Sequence, residues 1–469
     1  MIRKLLYLMG FIFLGLLAVF VIGVLKQEKL NPQVADILTH SLEIDKKTME
    51  QNAYVSFMGI DAPVDMDYFL VGKQIIIDNQ QKIKAAIVTK DSRLMEQWSY
   101  YNQGNALELN YQVNGKDYQF PCKNLTELGC TRKIVEHSRS ITHLIEKNHI
   151  LLDRYKQIIK LPNYNGYFTS LSAPILNFQN MMRLTELRVG EAVLLINQDQ
   201  VEKGIVILQE EIDFYKKILS GQDTLVAPMV AIRQLLTIYH VIEDLLDKPE
   251  LMDYLHNEEI NSLLKPLTIY EQQAIARALM IERNGGLYFY QSLINKDRLT
   301  LWFLLFDRNA SLNKNYKLYD SFIQNAMLVL PEASSYYLQQ VNKQDDKKAK
   351  HFLVYLMNEK GIFFLHNFYG EVLLNVALPN YDSYQFRLYD LSLYLLLVNT
   401  KLAIKQKGLD KQQVGDWLVT NKIVNPYNQH PLQWNEQQQM LSSDWLDDTK
   451  YKYSNNERDG IKPVIYIAF

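Results

Sequence analysis

A mainly α-helical protein held by one N-terminal transmembrane helix is the architecture the sequence predicts, with an irregular multi-helix ectodomain of antiparallel helices, a small β-hairpin and a small β element near the C-terminus. Three observations predict it. An uninterrupted apolar run extends from Leu5 to Leu25, apolar residues recur at spacings of three and four through the middle of the chain, and an Asn-Gly pair stands between two alternating segments.

The apolar run follows Arg3 and Lys4, closes at Lys26 and holds no charged residue. As a helix rising 1.5 Å per residue it is about 30 Å long, the thickness of a hydrocarbon core. A cleaved signal peptide has a shorter apolar stretch, about 7–15 residues, and a small-x-small exit. This run ends Gly-Val-Leu-Lys-Gln-Glu, so an uncleaved anchor is favoured over a signal peptide. Arg3 and Lys4 before it are matched by Lys26 and Lys29 after it, so the positive-inside count is a tie. No second span follows: 301–306 and 391–398 are too short, and 361–378 carries His366, Asn367 and Glu371. The expected organisation is a cytoplasmic tail (1–4), the transmembrane helix (5–25), N-terminal helices and a hairpin (26–130), a helical core (131–300) and a C-terminal mixed region packed on that core (301–469).

Within the ectodomain a helix is expected over 30–50, with Val34, Ile37, Leu38 and Leu42 on one side, and another over Val71–Lys84. Leu107–Val113 and Lys116–Phe120 alternate around Asn114-Gly115, the strongest short hairpin signal because both residues tolerate positive φ. From Arg132, the residues Ile134, His137, Ile141, Leu144, Asn148, Leu151, Tyr155 and Ile158 mark one face of a long helix ended by Pro162. Pro174 is expected to open the next helix. Val201–Leu219, Leu225–Leu246 and Tyr384–Leu402 give three more stripes, the first stopped by Gly221 and the second near Pro249. Short connections between such helices imply antiparallel neighbours. Beyond Pro426 and Pro431, Leu432–Trp434 and Pro463–Phe469 read as the closing β element.

Composition bounds the function. Lys+Arg number 50 against 52 Asp+Glu, a net charge of -2, which gives no electrostatic footprint for nucleic acid. Hydrophobic residues at 48% and charged residues at 22% exclude a disordered or collagen-like chain. The two cysteines, Cys122 and Cys130, enclose seven residues. In an oxidising compartment they would pair, and a loop this short would stabilise by about 2.5 kcal/mol. The competing readings are two unrelated buried thiols, or a metal site in which His137 is only a third ligand.

Five stretches carry a resemblance: Asn52–Pro63, the Cys122/Cys130 loop, Gly221–Val230, Arg308–Asn313 and Asn425–Trp434. In these the chain resembles a group of uncharacterised, membrane-anchored envelope proteins of proteobacteria. The resemblance implies an N-terminal anchor and a helical extracytoplasmic domain. It implies no activity, and no catalytic residue carries over.

Zincin, nucleophile-elbow, phosphate-loop and dinucleotide-binding patterns are absent from the sequence. His137 lies on an apolar stripe and reads as a core histidine. His240 and Glu243 are one turn apart, beside Asp244, and read as a solvated helix edge rather than a metal site. The carboxylate pairs Glu210/Glu211 and Asp345/Asp346 read as solvated charge, since adjacent residues point to different sides of a helix. Two loops set flat aromatics beside amides, Tyr164, Tyr167 and Phe168 in one, Tyr427 and Trp434 in the other. Such groups suit sugar rings or peptide segments, which makes Tyr164, Tyr167 and Tyr427 the candidate ligand surface; the plainer alternative is that the rings plug their own loops onto the core. The function expected is a membrane-anchored periplasmic interaction or scaffold protein of the bacterial inner membrane, touching the lipid bilayer through 5–25 and an envelope protein partner, with no cofactor. The alternative is an envelope hydrolase acting on glycan or peptide, whose site would be carboxylates or histidines converging in a pocket.

Overall fold

The computed structural model describes residues 28–40, 46–89, 106–123, 128–167, 176–293, 306–330, 367–377, 381–426, 429–443 and 464–467, with the single positions 15, 125 and 333. Apart from Gly15, the expected anchor at 5–25 lies outside the described residues, as do Asp345, Asp346, Phe168 and Tyr427. Among the described residues no helix is long and apolar enough to cross a membrane. Those residues form 18 helices and two small antiparallel sheets.

Residues 28–31 are clamped by side chains almost three hundred positions away. The Glu28 N–H donates to Asp307 Oδ2 (2.7 Å) and the Asn31 N–H to Asn313 Oδ1 (2.8 Å). Asn309 and Asn313 in turn donate to the carbonyls of Glu28 and Lys29, both at 2.8 Å. Two helices, α1 (Pro32–His40) and α2 (Lys46–Met49), stand where a single helix over 30–50 is expected; residues 41–45 lie outside the description. Val34 of α1 joins Leu287, Tyr290, Leu312 and Leu374 in a small core separate from the main one.

Asn52 caps α3 (Ala53–Met58) by accepting from the Tyr54 N–H at 3.1 Å. Helix α4 (Tyr68–Thr89) overruns both expected ends and crosses α3 at Gly59 and Gly72. A Cβ on Gly72 would lie 1.9 Å from the Val55 carbonyl oxygen, so the two backbones meet where only glycine fits. The hairpin forms on the expected turn, with φ of 52° at Asn114 and 74° at Gly115, but its strands are only β1 (Gln112–Val113) and β2 (Lys116–Asp117). Next to them the Tyr118 N–H donates to Tyr111 O at 2.8 Å, and further out the segment pairs elsewhere: Asn148 accepts from the Asn110 N–H (2.8 Å) and donates to its carbonyl (2.7 Å), and the Leu107 N–H donates to Asp61 O.

Cys122, in a 3-10 turn (Pro121–Lys123), and Cys130, opening α5 (Cys130–Glu136), have sulfurs within disulfide distance and Cα atoms 5.1 Å apart. The one long helix expected over 132–158 is three: α5, α6 (Ser138–Lys147) and α7 (His149–Ile158), broken at His137 and Asn148. At Asn148 the break carries a polar tie. Its side-chain amide joins its own backbone N–H on Leu144 O and also donates to Asn110 O beside the hairpin, so the residue at the break is tied to a distant segment. His137 is exposed at the first break and not a core histidine; its ring stands edge-on to Tyr118.

Helices α9 (Val201–Ser220) and α10 (Val226–Leu245) follow the expected stripes and pack in sequence order after α8 (Phe178–Ile196); Pro174, expected to open that helix, lies outside the described residues. Short helices α11 (Pro249–Met252), α12 (Glu258–Leu263) and α13 (Ile269–Gln272) lead to α14 (Ala274–Ser292), which lies against α15 (Arg308–Ala326). Pro249 therefore starts a helix as its first residue instead of merely ending one. Helix α16 (Phe368–Ala377) packs on α15, α17 (Asp382–Gln406) lies along α10, and α18 (Gln413–Thr420) meets the C-terminal sheet. That sheet is the expected closing element: β3 (Gln433–Asn435), β4 (Met440–Ser442) and β5 (Val464–Tyr466), all antiparallel, with Trp434 opposite Leu441 and Leu441 opposite Ile465. One continuous apolar core runs from Met49 to Ile467.

The glycine crossing predicts that Gly72→Ala, which in an exposed helix would be favourable, destabilises the full chain by about 2 kcal/mol or more through overpacking; chemical denaturation measures it, and an unchanged midpoint would show that α3 and α4 do not meet this closely. If the cysteines are bridged, Cys130→Ala should cost about 2–3 kcal/mol, leave Cys122 open to alkylation and remove the joined peptide from a non-reducing digest.

Candidate functional site

Two of the sequence-predicted ligand residues fall in the loop after α7, and the structure turns them inward. Tyr164 is buried, and its hydroxyl donates to Asp223 Oδ2 at 2.7 Å. Its carbonyl passes so close to Gly221 that a Cβ there would lie 2.1 Å away. Asn52 holds the same loop, accepting from the Asn165 N–H (3.1 Å) and donating to its carbonyl (2.9 Å), while the Gly166 N–H donates to Gln222 O at 2.6 Å. Tyr167 is half-buried and shares a hydrogen bond with Thr48 at 2.8 Å. The rings plug their own loop onto the core: Tyr164 offers no ligand surface, which corrects that expectation.

The charged residues read as solvated are mostly not solvated. Glu211 is fully buried and accepts from the Tyr155 hydroxyl at 2.6 Å. Arg188 bridges the adjacent pair, 2.5 Å from Glu210 and 3.4 Å from Glu211, and Lys160 closes on Glu210 at 2.9 Å. The two carboxylates do leave the helix in different directions, but a single buried guanidinium reaches both. His240 and Glu243 are likewise buried, not a helix edge. Glu243 receives Lys401 Nζ at 2.6 Å, and the same ammonium lies 2.7 Å from Asp247. Lys401 is completely buried, so α10 and α17 share an internal ion pair. No group of three or more metal-ligating side chains occurs among the described residues.

The site that sequence reasoning missed is on α10. Of its twenty residues, all but Val226, Met229, Arg233 and Asp244 are buried. Asp244 is engaged, accepting from the backbone of Gly129 (3.1 Å) and Thr131 (2.9 Å) and from the Thr131 hydroxyl, so that it caps α5. The other three fall at i, i+3 and i+7, a single stripe. Over it opens a cleft of about 500 Å³. Leu225, Val226, Met229 and Val230 and, from α8, Met182 form its apolar wall. Lys123, Arg233 and Arg387 bring three cations to it, against one carboxylate, Glu186.

Glu186 is held in place. Its Oε1 lies 2.9 Å from Lys123 Nζ, and its Oε2 accepts the Tyr111 hydroxyl. Burial, reinforced by Glu186, pushes the Tyr111 phenol well above its ordinary range, so Tyr111 remains the donor. Arg387 stacks over Tyr384, 5.4 Å from the ring centroid, with its guanidinium 3.9 Å from the Met229 sulfur. The signal in the sequence was present but unspecific: Val226-x-x-Met229-Val230-x-x-Arg233 ends an apolar stripe on a cation. A second cleft of about 780 Å³ is lined by Glu50, Asp65, Asp67 and Arg154. Arg154 donates there to the carbonyls of Ile60, Ala62 and Pro63, at 2.8, 2.5 and 2.8 Å, so its charge fixes the turn after α3.

Buried carboxylates make the fold pH-dependent. Burial pushes Asp223 up to about 7, even though Tyr164 and the Thr224 N–H donate to it. An unfolded aspartate releases its proton near pH 4. Between about pH 4 and about pH 7 the native state thus binds more protons than the unfolded chain, and stability falls as pH rises through that window. Glu211, pushed to about 7, and Asp61, to about 6, act with the same sign. Asp223→Asn should therefore narrow the gap between denaturation midpoints measured near the two ends of the window, by energy on the order of a few kcal/mol; an unaltered gap would remove Asp223 from the linkage.

No protein-family model, no curated protein and no solved structure matches this chain.

Proposed function

We propose that the chain is a membrane-anchored helical binding protein of the bacterial envelope. Residues 5–25 hold it in the inner membrane, the helical domain stands in the periplasm, and the cleft on α10 is its recognition site. The observation that carries this reading is the burial pattern of α10: a helix packed on every other side keeps one apolar stripe open beneath a cleft of small-ligand size. The anchor rests on the charge-free run from Leu5 to Leu25, and an extracytoplasmic domain suits the Cys122/Cys130 pair. The resemblance to envelope proteins of proteobacteria points the same way. Hydrolysis is the weaker reading because Glu211 and Asp223, the carboxylates held nearest neutrality, do not line the cleft, and Glu186, which does, is occupied by Lys123 and Tyr111.

Two measurements test it. Alkaline phosphatase fused after Phe469 should be active; an inactive phosphatase, with a cytoplasmic reporter active at the same point, would reverse the orientation. A photocrosslinking amino acid at Val226, 41% exposed, should trap a ligand or partner in intact cells, whereas the same group at Val206, 54% exposed on α9, should not. Equal trapping at both positions, or none at Val226, would remove the cleft as the recognition site.

A further inference from the structure

The geometry points to a single-chain anionic amphiphile, an acyl chain ending in a carboxylate or phosphate, as the occupant of the α10 cleft. This rests on the reading of that cleft as the recognition site and deepens it.

The cleft divides chemically. Its α10 wall, Leu225, Val226, Met229 and Val230, presents only aliphatic and thioether groups, which neither donate nor accept a strong hydrogen bond. A peptide laid there would bring backbone N–H and C=O groups that lose water and gain no partner. An acyl chain has none to lose. Methionine also adapts to chains of varying path, being unbranched and polarisable.

The charge follows the same division. The one carboxylate, Glu186, is already matched by Lys123, and Arg233 adds a further cation to the cleft. Arg233 is exposed and lies one turn beyond Met229 and Val230, so a chain lying along the stripe would bring its head group to the guanidinium. A neutral chain would gain nothing from that end. The volume, about 500 Å³, is that of a pocket for one small ligand and not a groove for a folded partner.

The test uses the full chain in nanodiscs of neutral phosphatidylcholine, with three diazirine-bearing probes: myristic acid, myristyl phosphate and myristyl alcohol. After photolysis, peptide mapping reads label on residues 225–233. The acid or the phosphate, and whichever is stronger identifies the head group, should label this segment about tenfold more than the alcohol, and Arg233→Glu should remove about that factor. Because Arg233 is exposed, this variant tests the charge without disturbing the packing; Met229→Trp, which fills the cleft, should abolish the label. Equal labelling by acid, phosphate and alcohol, or label indifferent to Arg233→Glu, overturns the proposal. So does a protein-sized adduct at the Val226 crosslinker with no probe label on 225–233, and that outcome leaves the cleft standing as a recognition site. Absence of both adduct and label defeats the two readings together.

Discussion

Helix α10 is buried on nearly every side, and the charge it carries inside, Glu243, is met by a cation from another helix. Gln234, Thr237, His240 and Glu243 all lie on it and are all buried. The largest debt is the carboxylate of Glu243, which in an apolar interior would cost several kcal/mol uncompensated. Lys401 of α17 meets it at 2.6 Å and reaches on to Asp247, which also receives Lys405 at 2.9 Å. The pair fixes which face of α17 lies on α10 and at what height along it, since an ammonium buried without its carboxylates is far worse than a slipped leucine. The ion pair thus sets register more than it adds stability. With α17 so placed, Tyr384 and Arg387 near its start fall at the edge of the α10 cleft. The site is downstream of a buried charge two turns of helix and more away.

The regular parts of the fold were legible because they follow from periodicity. Stripes at three and four gave α9 and α10 nearly to the residue and the body of α17, which runs on past both ends of its stripe, and Asn114-Gly115 gave the hairpin turn. What periodicity could not reveal is a side chain that bonds a distant backbone. Asn148 kept the apolar spacing intact across 132–158 while its side chain bonded both backbone groups of Asn110, tying the helix break to the segment before β1. Nor could it separate a stripe with one buried face from a helix buried nearly all round, because α10 carries polar residues whose partners come from 150 positions away. His240 and Glu243 looked like a wet edge in sequence for that reason. The cleft was hidden by the same fact: an apolar stripe left open and an apolar stripe covered are spelled alike.

Several short stretches distant in sequence acquire a physical role here. Asn52 and the Gly221–Asp223 turn meet around Tyr164, where an amide, a glycine and a carboxyl close one loop onto another. The Cys122/Cys130 loop is locked to α10 through Asp244. Each set is a polar tie between segments distant in sequence, which no local pattern records.

The clamp formed by Asp307, Asn309 and Asn313 has a mechanical consequence. Only Lys26 and Gln27 separate Leu25 from the first clamped residue, Glu28. On the proposed topology, with residues 5–25 in a bilayer, two residues of chain would separate the anchor from a hydrogen-bonded clamp on the domain. Force passed along the chain to Glu28 would then reach α15 through the hydrogen bonds on its first turns. On that topology, whatever the domain engages would have to come close to the lipid surface.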